Sequence, residues 1–426
     1  MIVRNFKQLA RDSKKKSALS IIEAGFAAAI PNAALGKIIK KNFLQVGRKK
    51  IFFKKYDRVY VVAIGKSADL MTKVANSLTR IHKGIVVLPD NASTILNARK
   101  FTVIRSSHPI PTKKSIVAAK KIIDFLTIPK ESDLVLFLIS GGASSLVSVP
   151  DGVSLEDKQL VTKLLLRSGA NIREVNCIRK HLSKIKGGRL VESLGCKAIS
   201  LVMSDVVGDN LSVIASGITY CDNSTFHDAK KILLKYNSKN RIPKSVWSHI
   251  ILGTKGLIPE TPKRPMIPNY VIRTNRDCVN TMKIHAQKLG FATKTILSLE
   301  GDVKDVASKI SRHVCNSQNF CLIFGGEPTV TVKGKGKGGR NQELVLHLLK
   351  KLRDHKMIVA SVGTDGIDGN TNAAGAIADF TMPLKPIDRY LCKNDSYQYF
   401  KKYGGLIFTG PTRTNLMDIG IALRRK

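Results

Sequence analysis

The chain has 426 residues, of which 43% are hydrophobic and 24% charged, a composition that supplies a buried core and argues against wholesale disorder. Lys and Arg number 71 against 31 Asp and Glu, a net charge of +40. Such a balance attracts polyanions, but the basic runs are short (Lys14–Lys16, Lys40–Lys41, Lys49–Lys50), which suits solvated faces better than a nucleic-acid arm.

The 7 cysteines include no CxxC pair and no zinc spacing, so free thiols in a reducing compartment are expected. Basic residues through Lys16 precede an apolar run, Ser17 to Ile30, that resembles a signal peptide. Glu23 interrupts it and it starts late, so an amphipathic helix ending before Pro31 is the better reading. No run of about 18 uninterrupted apolar residues occurs, so neither a transmembrane helix nor a membrane partner is expected, and a cytoplasmic location follows.

Strands are predicted at Val59–Ile64, Gly84–Leu88, Phe101–Arg105, Leu134–Ile139, Ala198–Met203, Tyr270–Arg273, Cys321–Phe324, Thr329–Val332, Met357–Val362 and Leu406–Phe408. Helices are predicted at Ser67–Arg80, Lys113–Leu126, Leu155–Ser168, Asp277–Leu289, Val303–Asn316 and Asn341–Asp354. Alternating strands and helices indicate open parallel α/β architecture. The stretch from Asn237 to Asn269, with Pro243, Pro259, Pro262, Pro265 and Pro268, breaks this rhythm. The expected organisation is therefore an N-terminal Rossmann-like α/β/α domain with a mostly parallel sheet over 1–240, a connection over 241–269, and a C-terminal α/β domain over 270–426, with the active site in the cleft between the domains.

In such folds the polar chemistry gathers at the carboxyl ends of strands. Val59–Ile64 runs into Gly65-Lys66-Ser67-Ala68, half of a Walker A loop without its first glycine. Lys66 suits a phosphate contact at a helix start; a surface lysine in a tight turn is the alternative. Leu134–Ile139 runs into Ser140-Gly141-Gly142-Ala143-Ser144-Ser145, whose amides and hydroxyls suit an anion cradle, or equally a plain capped turn. Ala198–Met203 ends at Asp205, with Asp209 four residues on, suiting a base or magnesium ligand, or a capping aspartate.

Beyond Gly325-Gly326-Glu327, the loop Lys333 to Asn341 spells G-x-G-x-x-G at Gly334, Gly336 and Gly339. The next acid at a strand end, Asp365, lies later than the ~20 residues a dinucleotide site requires. Three lysines and Arg340 in that loop suit a triphosphate better, a flexible hairpin being the alternative. Asp365 and Asp368, set among glycines, suit magnesium carried on phosphate oxygens, or an Asp-Gly turn. Together these strand ends amount to phosphoryl-transfer equipment.

The motifs resemble those of the type II glycerate kinases, which join an N-terminal glycerate kinase domain to a C-terminal MOFRL domain. The matching stretches run in family order from about residue 20. They include Gly65-Lys66-Ser67-Ala68, Ser107-His108-Pro109-Ile110-Pro111, Ser140-Gly141-Gly142-Ala143-Ser144, Arg179-Lys180-His181-Leu182-Ser183 and Lys186-Gly187-Gly188-Arg189-Leu190. They continue through Gly338-Gly339-Arg340-Asn341-Gln342-Glu343, Gly363-Thr364-Asp365-Gly366-Ile367-Asp368-Gly369 and Thr409-Gly410-Pro411-Thr412. The resemblance implies ATP, Mg2+ and D-glycerate, with 2- or 3-phosphoglycerate as product.

It makes Lys66 and Arg340 catalytic cations and Asp205 a base or metal ligand. Ser140, Gly141, Gly142, Ser144, Arg179, Gly338, Gly339 and Asn341 become substrate or phosphate contacts, and Asp365, Asp368, Asp209 and Glu327 metal ligands. Asn372 stands where the family often has Asp, and Arg413 where it often has Gly. The rivals are an oxidoreductase acting on hydroxypyruvate, supported by the glycine loop alone, and a nucleic-acid binder, supported by the charge alone. With 6% aromatic residues no nucleic-acid partner is expected, and the chain is expected to be a monomer or homodimer.

Overall fold

Two six-residue runs, Val59–Ile64 and Leu134–Ile139, are buried at every position. They lie side by side in parallel, Val59 opposite Leu134 and Ile64 opposite Ile139. Strands buried on both faces need helices above and below them. The computed structural model describes residues 1–11, 13–236, 241–315 and 317–425. These form two compact units, Pro31–Ile272 on the one hand and Met1–Ile30 with Arg273–Lys426 on the other.

The chain opens with α1 (Phe6–Leu9) and α2 (Ser13–Ala29). It then runs α3 (Pro31–Ile38), β1 (Phe43–Val46), β2 (Lys49–Phe52), β3 (Val59–Ile64), α4 (Ala68–Leu78), β4 (Lys83–Pro89), β5 (Phe101–Ser106), α5 (Lys113–Leu126), β6 (Leu134–Ile139) and α6 (Ala143–Leu146). Next come α7 (Leu155–Arg167), α8 (Ile172–His181), β7 (Lys197–Met203), α9 (Phe226–Tyr236), α10 (Lys244–Thr254) and β8 (Asn269–Arg273). The rest is α11 (Asn275–Lys288), β9 (Ala292–Asp302), α12 (Val303–Ser311), β10 (Phe320–Thr329), α13 (Arg340–Leu352), β11 (Ile358–Gly363), β12 (Gly375–Asp379), α14 (Ile387–Leu391), α15 (Ser396–Tyr403), β13 (Leu406–Ile407) and β14 (Asp418–Arg424).

The main sheet of the Pro31–Ile272 unit has the order β5-β4-β3-β6-β7-β8. Strand β3 is parallel to β4 and β6, and β6 is parallel to β7. The order grows from β3 toward β5, then returns to set β6 on the other flank of β3. Loops leaving β3 and β6 therefore diverge, and a crevice opens at their carboxyl ends. Val62, Ile64, Phe137 and Ile139 fill one core with Ala118 and Ile122 of α5. A second core joins α7 to α10 through Val161, Ile178, Phe226, Leu233 and Val246.

Two expected boundaries move. Residues 241–269 are folded into the first unit rather than linking two units. Val246 and Ile250 of α10 are core residues, Asp222 N donates to Pro262 O at 2.9 Å, and His181 meets Glu260 at 3.2 Å. The prolines here punctuate a packed segment, and the run around Trp247 is a helix. Residues 237–240, where the irregular stretch begins, lie outside the described residues, as does Asn316 at the end of the helix expected from Val303. The N-terminal helix α2 belongs with the C-terminal unit. Its Leu19, Ile22 and Phe26 are buried, Thr414 Oγ1 donates to Ala29 O at 2.8 Å, and Arg4 N donates to Phe408 O at 2.7 Å.

The sheet of that unit, β13-β12-β11-β14-β10-β9, is mixed rather than parallel: only β9 and β10 run parallel, and β14 is antiparallel to both β10 and β11. The strand expected at Cys321–Phe324 runs on to Thr329 as β10, with an irregularity between Phe324 and Gly326, and the strand expected at Thr329–Val332 does not form beyond Thr329. All seven cysteines are unpaired thiols, as expected. Among the described residues no single helix is long and apolar enough to cross a membrane.

Helix α13 is pinned at its start by a carboxylate from the next loop. Asp368 accepts from Asn341 N at 3.0 Å and Gln342 N at 2.9 Å, and from the Asn341 and Gln342 side-chain amides at 3.3 and 3.0 Å. This is helix capping delivered from a distance. Asp368→Asn points an amide at those donors and should cost about 2 kcal/mol in a denaturation experiment; unchanged stability with impaired catalysis would instead favour the metal-ligand expectation. One turn on, Glu343 is buried and accepts from Asn394 Nδ2 at 3.0 Å. Burial, with lesser contributions from Asp368 and Asp302, pushes its carboxyl up to about 7. The unfolded chain releases this proton near 4.5, so stability from the neutral form is lost as pH rises from there through about 7. Glu343→Gln should be near neutral at about pH 4 and stabilising by roughly 1–3 kcal/mol at about pH 8; the same Tm shift at both pH values would contradict this.

Candidate active site

The end of β3 and the end of β6 touch. Gly65 stands at φ 131°, and a Cβ there would lie 2.2 Å from Ser140 Oγ and 2.5 Å from Ser140 O; only a glycine lets the two turns close. The contact is tied by Ser140 N to Ile64 O at 3.0 Å, Lys66 N to Gly141 O at 2.9 Å, and Ser67 N to Ser140 Oγ at 3.0 Å. Ser140 is fully buried, so its hydroxyl serves as a strap for the α4 start and not as a ligand contact. Gly142, at φ 85°, turns the chain into α6. A Cβ on it would meet the His108 ring at 2.9 Å and the Lys66 stem at 3.5 Å. Lys66, Gly142 and His108, from the ends of three strands, thus face one point beside the sheet reversal. Asp205 follows β7, the next strand along this edge, and is half-buried.

Behind Gly142 lies a polar chain. Ser144 Oγ meets Ser216 Oγ at 2.8 Å, and Ser216 Oγ donates to Asn176 Oδ1 at 2.9 Å. Lys186 Nζ donates to Ser144 O at 2.7 Å and contacts Ser144 Oγ at 3.0 Å. Ser144, Arg179 and Lys186 line a cavity of about 750 Å³. Lys180, next to Arg179, is spoken for: it pairs with Asp222 at 3.1 Å.

In the C-terminal unit Arg340 begins α13 and faces two carboxylates. Its Nε and Nη2 reach Asp418 at 2.6 and 3.1 Å, and its Nη1 reaches Glu327 at 3.0 Å. Burial works against the charge, but the Asp418 carboxylate outweighs it and holds the guanidinium above its ordinary value. The bidentate fork favours the ionised pair, against burial that pushes the Asp418 carboxyl up to about 7.

Several expected ligands are committed internally. Asp368 caps α13, and Glu327 pairs with Arg340. Asn341 is buried, its Oδ1 accepting from Ser361 Oγ at 2.6 Å. In the glycine loop, Lys333 N and Gly334 N donate to Asn394 Oδ1, Lys337 N to Asp395 Oδ1, and Gly338 N to Asn370 Oδ1. These amides are satisfied by the neighbouring segment, and Gly339 lies buried against Asp368. The resemblance implies magnesium. Among the described residues no three of His, Cys, Asp or Glu converge closely enough to hold an ion. Asp209 sits in a turn at φ 53° in one unit and Asp365 in the other. Among the described residues the side chains do not form a magnesium site.

Sequence reasoning gave no role to Asp418, Lys186 or Ser216. Asp418 opens an apolar strand near the end of the chain with no motif around it, whereas Lys186 lay in plain view before Gly187-Gly188. Arg413, where the family often has Gly, does hold a left-handed backbone at φ 59°.

A family model described as "Domain of unknown function (DUF4147)" matches residues 17–251, and that of the MOFRL family matches residues 320–418. The glycerate 2-kinase of Pyrococcus horikoshii is 42% identical over 86% of this chain and 87% of its own length. The D-glycerate 2-kinase of Thermotoga maritima is 38% identical over 97% and 99%. The crystal structure of glycerate kinase from Thermotoga maritima superposes with a TM-score of 0.83 at 38% identity, covering 97% of this chain and 99% of that one. With both models in order and relatives matched almost end to end, the chain belongs to the glycerate kinase family that carries a MOFRL domain.

Proposed function

We propose that the protein transfers the γ-phosphate of ATP to D-glycerate, yielding 2-phosphoglycerate by direct in-line transfer. The observation that carries this reading is the convergence of Lys66, Gly142 and His108 at the strand reversal, beside a cavity that holds Arg179. A glycerate hydroxyl oxygen bonds to the γ-phosphorus as the bond to the β,γ-bridging oxygen breaks and ADP leaves. The hydroxyl proton passes to Asp205. The glycerate carboxylate rests on Arg179 or on the Gly141–Gly142 amides. Lys66 neutralises charge on the transferring group, a positioned cation at the point where charge builds. Arg340, in the C-terminal unit, already has its charge matched by Asp418 and Glu327, so the test of the cation falls on Lys66.

The two cations call for different tests. Arg340→Ala would strand Asp418 as a buried unpaired carboxylate at a cost of about 3–5 kcal/mol, mixing stability with catalysis. Lys66→Ala leaves the backbone ties of Gly65 and Ser140 in place. With ATP, D-glycerate and the full chain, the wild type should release ADP and form 2-phosphoglycerate, identified by NMR. Lys66→Ala should lower kcat by about 100-fold or more with an unchanged Tm. A near-normal kcat in Lys66→Ala removes Lys66 from the chemistry; 3-phosphoglycerate as product overturns the regiochemistry.

A further inference from the structure

The cavity beside Ser144 is lined by an unusual set of charges. Lys158, Lys163, Arg167, Arg179 and Lys186 face it, against the single acid Glu156. Three of the cations converge from inside. Lys186 is 2% exposed and Lys158 5% exposed, and Arg179 on α8 is half-buried. Among the described residues none of these three has a carboxylate within ion-pair distance. Lys158 Nζ donates to Leu182 O at 2.7 Å, and Lys186 Nζ has only the backbone and hydroxyl oxygens of Ser144. The nearby acid Asp151 is taken by Arg189 at 3.1 Å.

Like charges gathered out of water without a counter-ion are costly. The cost registers on every member of the set. Burial, then Arg179, brings Lys158 down to about 7; burial, then Lys158 and Arg179, lowers Lys186; burial lowers Arg179. The lysines are not tied into a structural ion pair as their neighbour Lys180 is. A cavity that keeps three cations unmatched at its buried end is built for an anion that arrives from outside.

We infer that Lys186 and Lys158, with Arg179, form the pocket that holds the carboxylate of the acceptor. The inference rests on the glycerate kinase reading and adds two residues to it. The location fits an acceptor because Lys186 grips Ser144, two residues beyond Gly142, so a carboxylate at the cationic end leaves the rest of a short acid directed at the Gly141–Gly142 turn. The outer wall of the cavity carries the exposed apolar residues Ile110, Leu160 and Leu166.

The test is calorimetric titration of the full chain with D-glycerate, glycerol and ADP, each alone, for wild type, Lys186→Met, Lys158→Met and Lys186→Arg, with steady-state kinetics alongside. The wild type should bind D-glycerate and not glycerol. Each methionine variant should weaken D-glycerate binding at least tenfold and raise KM for D-glycerate more than it lowers kcat. Lys186→Arg should recover part of the affinity. The ligand-free Tm of the methionine variants should stay level or rise, since a repelling charge is removed; a purely structural lysine would lower it. Wild-type affinity and KM in both methionine variants, in an enzyme that phosphorylates D-glycerate, overturn the inference and leave the kinase reading standing. Lys186-dependent binding of ADP instead of D-glycerate overturns the carboxylate assignment in favour of a nucleotide phosphate. Lys186-dependent binding of D-glycerate by a wild type that never phosphorylates it supports the pocket and removes the kinase reading.

Discussion

The parallel pairing of β3 with β6 is the constraint from which the active-site geometry follows. It sets Ile64 opposite Ile139, so the two chains leave the sheet at the same height. Because the strand order reverses there, the chains must part, and Gly65 against Ser140 is what lets them part from a contact instead of a gap. Lys66 and Gly142 owe their positions to that contact. A shift of one residue in the register would turn the inward-facing set of either strand outward and carry Lys66 away from Gly142.

Around this edge the chain invests in groups it does not satisfy by itself. Ser140 and Lys180 are closed off, one as a strap and one in an ion pair with Asp222. Lys158, Arg179 and Lys186 are left facing a cavity. The C-terminal unit follows the opposite policy: Arg340 is answered by two carboxylates, Asp368 by four N–H donors, and the amides of the glycine loop by Asn370, Asn394 and Asp395. This contrast supports the proposal that the incoming anion binds to the first unit.

Much of the fold was legible because buried strands announce themselves. Val59–Ile64 and Leu134–Ile139 were found to the residue, and so was Lys113–Leu126, whose Thr112 cap and apolar spacing mark both of its ends. What escaped detection lacked local contrast. Gly375–Asp379 is built from small residues that read as a turn, and Asp418–Arg424 is a strand only because β10 and β11 flank it. The prolines of 241–269 look like a linker until Val246 and Ile250 are seen in a core assembled from α7, α8 and α9. At the site, Lys66, Gly142 and Arg179 stood out as residues at strand and helix ends. The helix-capping bonds of Asp368 and Asn341 were not legible because an acid or amide in a glycine-rich loop looks the same whether it caps a helix or binds a ligand. Lys186 was passed over because burial, which makes it unusual, is not written in the sequence.

The central claim is that the acceptor lies at the carboxyl edge of the parallel sheet, between the β3 and β6 turns and the cavity of Arg179. A crystal structure of the full chain with D-glycerate and a non-hydrolysable ATP analogue tests it most directly. The account predicts glycerate density with its carboxylate within hydrogen-bond distance of Arg179 at the cationic end of the cavity and a hydroxyl on the Lys66 side. Glycerate bound away from that edge, with Lys66 and Gly142 untouched, would contradict it.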